Sequence, residues 1–249
     1  MVAEGRLRAE RFGLDDWLLW LRGEGAYPLY YQGHWDESLR VLDELIDEFA
    51  VHRFWMETPC RQLRGHIRLG RGDEAGARED SERALELGRE AKDPQALWPS
   101  LSFAARVAVL SDPDRAGDLM TELLSEWKAR GCFRASELSW APDAAIVLRL
   151  LGREDDYLPE ARETANTSRW RQAAVAFLSG DLAGAADIYA DIGAAPDEAY
   201  ARLSLAEVLL GEGRRSEADL ELEKAMAFWS KAGATAYLRQ SEALLAEAS

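Results

Sequence analysis

Three histidines, two cysteines and one glycine-rich segment carry the residue types in this 249-residue chain that could do chemistry. His34, His52 and His66 form no i, i+4 pair, and neither Cys60 nor Cys132 stands at metal-ligand spacing from another candidate. Nothing around either cysteine indicates the context of a catalytic nucleophile, and no Ser-His-Asp arrangement is positively indicated. We therefore expect no catalytic residue, no metal site and no enzymatic activity.

The glycine-rich segment LGRGDEAG contains Gly70, Gly72 and Gly76 and superficially suggests a phosphate-binding loop. A dinucleotide-binding turn must follow a strand, so that the pyrophosphate meets the N-terminus of the next helix. Here a helical pattern precedes the glycines, and the sequence contains no Gly-Lys pair of the kind that a Walker A loop needs. The segment is therefore interpreted as a turn between helices, and no cofactor is expected.

The charge balance excludes several classes of partner. The chain has 45 acidic and 30 basic residues and a formal net charge of -15, which repels nucleic acid and anionic lipid. No segment approaches the ~18 uncharged apolar residues of a membrane span. The start, MVAEGRLRAERFG, has no apolar signal region, and two cysteines suit a reducing compartment. We expect a cytoplasmic protein that binds neither nucleic acid nor membrane.

Helix is predicted nearly throughout, because Ala, Leu, Glu and Arg dominate and apolar residues recur at intervals of three and four. Short turns separate the predicted helices at intervals of roughly 36 residues, which is the range of two-helix solenoid repeats. The turns are anchored by Gly33, Gly72, Ser111, Gly152, Gly180 and Gly213.

Small residues recur at fixed offsets from these anchors, seven before and five after, with Tyr157 as the exception. Such a pattern indicates two antiparallel helices that cross at a short axial distance, which larger side chains would prevent. The small residues are Ala26, Gly65, Ala104, Ala145, Ala173 and Ala206 before the anchors, and Ser38, Ala77, Ala116, Ala185 and Ala218 after them.

This pattern resembles the tetratricopeptide repeat (TPR) family over roughly residues 14 to 229. The resemblance implies an all-α fold: a right-handed superhelical α-solenoid of about six TPR-like helix pairs, closed by a C-terminal capping helix. We expect residues 1-249 to form a single helical-repeat domain, with a softer junction near 152-168 where the repeat interval is short. The residues that carry the resemblance most clearly are Ala173, Gly180, Ala185 and Tyr189 in one repeat, and Ala206, Gly213, Ala218 and Ala225 in the next.

Two further segments, RGDEAGAREDSERALELGREAKDPQAL and EKAMAFWSKAGATAYLRQSEALLAEAS, resemble the C-terminal helical region of large bacterial signalling proteins. Those proteins combine a nucleotide cyclase or DNA-binding output with an AAA/STAND-type ATPase, and their TPR-like region is the sensory or regulatory arm. The resemblance implies a non-enzymatic protein- or peptide-binding regulatory or scaffold module of a signalling ATPase- or cyclase-like protein.

Aromatic and arginine side chains are the best candidates for binding. In solenoids of this type the first helix of each pair lines the concave face, where such residues suit a protein or peptide partner or a small ligand. Core packing between repeats would use the same residues, and self-association through the helical ends is also left open. The alternative function is a small-molecule sensor with an aromatic-lined concave pocket. The candidate binding residues are Trp20, Tyr27, Tyr30, Tyr31, Gln62, His66, Trp98, Ser102, Arg106, Arg149, Trp170 and Arg171.

Overall fold

The computed structural model describes residues 15-51, 56-132, 137-163 and 168-247. Within these ranges the chain forms thirteen α-helices and one short 3-10 turn, without a strand, so the predicted all-α class is confirmed. No helix of the described ranges has both the length and the apolar character of a membrane span. The helices are α1 (Asp15–Tyr31), α2 (Trp35–Val51), α3 (Glu57–Arg71), α4 (Glu74–Ala91), α5 (Pro94–Ala108), α6 (Pro113–Ala129), α7 (Glu137–Leu151), α8 (Leu158–Glu163), α9 (Arg169–Leu178), α10 (Leu182–Asp191), α11 (Ala195–Gly211), α12 (Arg215–Ala232) and α13 (Thr235–Glu247).

Local sequence signals set several helix ends. Asp73, Asp112 and Asp181 each accept a hydrogen bond from a backbone N–H in the first turn of the helix that follows. Such a cap satisfies one of the N–H groups that a helix start leaves without an internal partner. At the other end, Gly72 closes α3 with φ +82°, a left-handed conformation that glycine adopts without steric cost. The glycine-rich segment is thus a turn between helices, as predicted.

Helices pack in chain order. Each long helix from α1 to α7 contacts the next one along the chain, and so do α9 to α13. A second set of contacts joins alternate helices, from α1 to α3, α5, α7 and α9. The fold is therefore a succession of adjacent helix pairs, an arrangement compatible with a helical repeat.

The recurring small residues lie at these helix crossings. At Gly65 of α3, an added Cβ would lie too close to the ring of Phe103 on α5, so the two helices can approach only because residue 65 is glycine. Tyr157, the exception in the pattern, is buried and stacks on Trp127 with ring centroids 5.1 Å apart. Ala26, Ser38, Ala77, Ala104, Ala116, Ala145, Ala173, Ala185, Ala206 and Ala218 are all buried.

The last helices return to the first ones. Trp229 of α12 lies 6.4 Å from Trp35 of α2, measured between ring centroids, and both belong to one apolar cluster. Thr235, at the start of α13, donates a hydrogen bond from Oγ1 to the carbonyl oxygen of Arg71 at 2.9 Å. Tyr237 packs backwards on Trp229, 4.7 Å between ring centroids, while α13 as a whole also contacts α3. Helices α1 to α3 and α11 to α12 thus share one apolar cluster, and most of the intervening helices pack in a second one.

Candidate functional site

Five of the predicted binding residues line one cavity, which we call the tyrosine cavity. Tyr27, Tyr30 and Tyr31 reach it from the end of α1, and Gln62 and His66 from the middle of α3. The cavity measures about 40 Å³, enough for roughly three water molecules. Leu63 of α3 also lines the cavity, and helices α7 and α11 complete its wall. The residues that these two helices contribute are Leu138, Ser139, Pro142, Asp143 and Asp197.

His66 and Asp143 form a hydrogen-bonded pair in this wall. The Nε2 atom of His66 lies 2.8 Å from Oδ2 of Asp143, and Nδ1 lies 2.8 Å from the carbonyl oxygen of Gln62. Because a carbonyl oxygen only accepts, Nδ1 must carry a proton, and a second proton lies between Nε2 and the carboxylate. Burial would lower the pKa of His66, but the charge of Asp143 and these hydrogen bonds outweigh that effect and raise it.

Asp197 is the second carboxyl group of the cavity. It lies in the first turn of α11, and none of the ion pairs among the described residues includes it. Burial, and then the negative charge of Asp143, raise the pKa of Asp197 to about 7, against the smaller opposing effect of His66. At neutral pH this carboxyl group is therefore divided between its protonated and ionised forms.

The tyrosines provide neutral hydroxyl groups and aromatic ring faces. Tyr30 is stacked on Trp35 with ring centroids 5.7 Å apart, and Tyr31 lies 6.0 Å from the ring of Trp170. Burial raises the pKa values of Tyr30 and Tyr31 well above the usual range, and the nearby charge of Asp197 adds to the effect. Both hydroxyl groups therefore stay protonated. Trp170, another predicted binding residue, thus packs against Tyr31.

Arg106 links the interior to a second cavity, which we call the arginine cavity. Its guanidinium lies 4.7 Å from the centre of the Tyr200 ring, and Nη2 is 3.5 Å from the hydroxyl oxygen of Tyr237. The residue is only 7% exposed, yet no carboxylate of the described chain lies within ion-pair distance of it. The arginine cavity measures about 300 Å³ and is also lined by Arg78 and Arg239.

The structure places Trp98, Ser102 and Arg171 in the interior, away from any surface that a partner could reach. Trp98 packs edge-on against Trp140 with ring centroids 6.0 Å apart. The hydroxyl of Ser102 donates to the carbonyl of Pro99 at 3.0 Å. Arg171 forms a buried ion pair with Glu137. Trp98 and Arg171 thus hold neighbouring helices together, whereas the Ser102 hydroxyl is bound within its own helix.

Trp20 and Arg149 line neither of the two cavities. Trp20 is half-buried and packs edge-on against Trp17, 5.3 Å between ring centroids. The guanidinium of Arg149 lies 5.7 Å from the centre of the Phe177 ring. The structure therefore brings together Tyr27, Tyr30, Tyr31, Gln62 and His66 at one cavity, and it places Arg106 at another.

Sequence reasoning missed Asp197 as a site residue. Its surroundings, Ala194-Ala195-Pro196-Asp197, have the composition of an ordinary helix start, where an acidic side chain favours the helix dipole. No spacing along the chain connects it with His66, because the contact depends on how α11 returns towards α1 and α3. The only signal in the sequence was an acidic residue in a helix that is predicted to be the first of its pair and so to line the concave face.

Comparison with known proteins gives no assignment: the chain matches no protein-family model, and no curated protein sequence matches it. Among the described residues, no group of three or more His, Cys, Asp or Glu side chains is arranged to hold a metal ion. The functional conclusion therefore depends on the two cavities and the side chains that line them.

Proposed function

We propose that this chain is a non-enzymatic binding module that recognises a protein or peptide partner and acts as a regulatory or scaffold part of a signalling ATPase- or cyclase-like protein in the cytoplasm. The packing of helices in adjacent pairs, with buried small residues at the crossings, supports a TPR-like superhelix of about six pairs. The observation that carries the binding role is the arginine cavity, because its 300 Å³ volume reaches the size of ligand-binding clefts.

The lining of the arginine cavity suits a partner that is both apolar and acidic. Two of its leucines are unusually accessible: Leu110 is 81% exposed and Leu150 is 49% exposed. Exposed apolar side chains beside arginines favour protein contacts, since apolar anchors and directed Arg hydrogen bonds supply most binding energy at interfaces. The lining has three arginines, Arg78, Arg106 and Arg239, against the two glutamates Glu74 and Glu207, a small basic excess on a chain whose net charge is -15.

A capture experiment with matched leucine variants tests this proposal. The intact chain is compared with Leu110→Asp and Arg239→Ala, and with the control Leu220→Asp, because Leu220 is 57% exposed on α12 outside the cavity. We expect partners to be lost from the first two variants and retained by the control. Equal capture by all four proteins would refute binding at the arginine cavity.

A small-molecule sensor is the second candidate function. The observation that favours it is the convergence of five predicted binding residues on the tyrosine cavity. The cavity of about 40 Å³ fits a small group and is too small for an extended peptide. A ligand that raises the unfolding temperature of the chain, but not that of a Tyr31→Leu variant, would support this function.

A further inference from the structure

The charges in the tyrosine cavity do not balance locally. The His66–Asp143 pair holds two protons, one on Nδ1 and one shared with the carboxylate, so its net charge is zero in either arrangement. Asp197 is then left without an ion-pair partner among the described residues. A hydrogen bond from the backbone and the charge of His66 stabilise its ionised form only in part, because its pKa stays raised. An ionised carboxylate is costly in such surroundings unless a cation or hydrogen-bond donors accompany it.

Every other charged or titratable group around Asp197 fails to neutralise it. Arg106 borders the same interior from α5, but its guanidinium lies over the Tyr200 ring and near the Tyr237 hydroxyl, and it forms no ion pair with Asp197 in the described structure. The tyrosines stay neutral. The titratable and charged groups that face this region are Tyr27, Tyr30 and Tyr31 of α1, His66 of α3, Arg106 of α5, Asp143 of α7, Tyr189 of α10, Tyr200 of α11 and Tyr237 of α13.

We infer that the tyrosine cavity binds a primary alkylammonium group, with the Asp197 carboxylate as its counter-ion. This inference rests on the second candidate function, the small-molecule sensor, and names the chemical class of its ligand. The chain's net charge of -15 raises the local concentration of cations and so favours entry.

The size and lining of the cavity select this class of ligand. Room for roughly three water molecules matches a terminal –CH₂–NH₃⁺ group. The three N–H donors of an ammonium group find acceptors in Asp197, the Gln62 side chain and the tyrosine hydroxyl oxygens, and the ring faces attract a cation. Leu138, 39% exposed at the rim, and Pro142 offer apolar surface to the alkyl chain. A quaternary ammonium has no N–H donor and is bulkier, so it is expected to bind more weakly.

Binding should compete with protonation of Asp197. Only the ionised carboxylate attracts the ammonium group, so each cation that binds below about pH 7 displaces one proton. The affinity should therefore fall by about tenfold per pH unit below that point. This dependence separates an ion pair at Asp197 from simple apolar binding.

Isothermal titration of the full chain with n-butylammonium tests the inference. Two probes accompany it: n-butanol, which lacks the charge, and tetramethylammonium, which lacks the N–H donors. The variants are Asp197→Asn and, as a matched control, Asp47→Asn, since Asp47 is an exposed aspartate of α2. We expect n-butylammonium to bind the wild-type chain and the control variant alike, and to bind Asp197→Asn at least tenfold more weakly, the loss of one charged hydrogen bond.

Several results would overturn the inference. They are equal binding of n-butanol and n-butylammonium, unchanged binding by Asp197→Asn with retained helicity, and a wild-type affinity that does not change between pH 5.5 and 7.5. If Asp197→Asn fails to fold, the pH dependence of the wild-type chain decides the matter alone. Binding of an uncharged ligand would refute the ammonium assignment and keep the sensor function, while partner capture at the arginine cavity is unaffected by either outcome.

Discussion

Trp35 on α2 and Trp229 on α12 lie 6.4 Å apart between ring centroids, although they come from opposite ends of the chain. The contact is part of a single apolar cluster that also contains Ala199 and Leu42. Several side chains on the first helices of the pairs, such as Trp98 and Arg171, are buried and line no groove. The tyrosine cavity and the arginine cavity are two places where the interior opens.

The close helix crossing at Gly65 predicts that a Gly→Ala substitution there destabilises the fold, although alanine has the higher helix propensity. In an exposed helix interior, Gly→Ala stabilises by about 0.5–1 kcal/mol. At Gly65 the new methyl group would collide with Phe103, so we expect Gly65→Ala to destabilise by about 1–3 kcal/mol. Gly25→Ala is the control, because beyond its chain neighbours and its own helix backbone nothing lies within 4 Å of a Cβ at this position of α1, and it should stabilise. Urea unfolding of both variants gives the signs, and stabilisation by Gly65→Ala would contradict the close crossing.

The stability of the fold should depend strongly on one buried carboxylate, that of Asp80. It is fully buried on α4 and accepts hydrogen bonds from Arg64 (2.6 and 2.9 Å), Arg68 (2.8 Å) and Arg61 (3.2 Å) of α3. Asp80→Asn would remove the buried carboxylate that the three guanidinium groups share, although Arg61 keeps Glu57 and Arg64 keeps Asp43. We expect a loss of about 3–5 kcal/mol in the free energy of unfolding.

The exposed variant Asp47→Asn serves as the reference for Asp80→Asn and should change stability by less than about 0.5 kcal/mol. Chemical unfolding monitored by circular dichroism measures both. A similar, small effect at the two positions would show that the arginine cluster on α3 does not hold α4 in place.

Tyr157 tests whether the region near 152–168 is a softer junction. Its ring is buried against Trp127 and Trp140, while its hydroxyl has no hydrogen-bond partner in the described structure. Tyr157→Lys would bury a charge between the two halves, and we expect two separate thermal transitions in place of one. Tyr157→Phe removes an unsatisfied polar group and should be neutral or stabilising by up to about 1 kcal/mol. A single transition of unchanged midpoint in Tyr157→Lys would count against the junction.

The titration of Asp197 should lower the free energy of unfolding as the pH rises from about 4 to 7. The folded chain keeps the proton of Asp197 up to a pKa of about 7, whereas an unfolded chain releases it near 3.9. Between these values the folded state binds the extra proton, so this group costs at most about 1.4 kcal/mol per pH unit. His66 acts in the same direction above its ordinary pKa of about 6.5, because its folded pKa is raised. Unfolding temperatures of the wild type and Asp197→Asn, measured across this pH range, test the prediction. The unfolding temperature of the variant should depend less on pH, and parallel curves for the two proteins would contradict the role of Asp197.

The helices and their crossings could be predicted from the sequence because both depend on local patterns. Apolar spacing of three and four gives each helix its buried stripe. Small residues such as Ala104 and Ala173 mark the crossings by their distance from a turn glycine. Tyr157 broke this pattern, and it does so by filling space beside Trp127 with an aromatic ring.

The site could be predicted only in part, because it depends on contacts between distant helices. The cluster of Tyr27, Tyr30 and Tyr31 was evident from sequence, since the three lie within one helix turn of each other. Arg171 illustrates the limit: its offset placed it on the inner row, but its ion pair with Glu137 buries it. Helices α11 to α13 pack on α1 to α3, and this packing decides which residues face a cavity and which face another helix. Spacing along the chain does not predict this long-range packing.

The distance between the chain ends tests the account most directly. Spin labels are placed at cysteines introduced at His34 and Lys231, in a chain whose Cys60 and Cys132 are replaced by serine, and the distance is measured by pulsed electron paramagnetic resonance. Gly33 lies against Lys231, as a Cβ there would be 3.5 Å from Cδ of the lysine, so we predict a short, narrowly distributed separation. An open stack of six helix pairs would hold the labels on the order of 50 Å apart. A separation of that size would contradict the closed interior and both cavities within it.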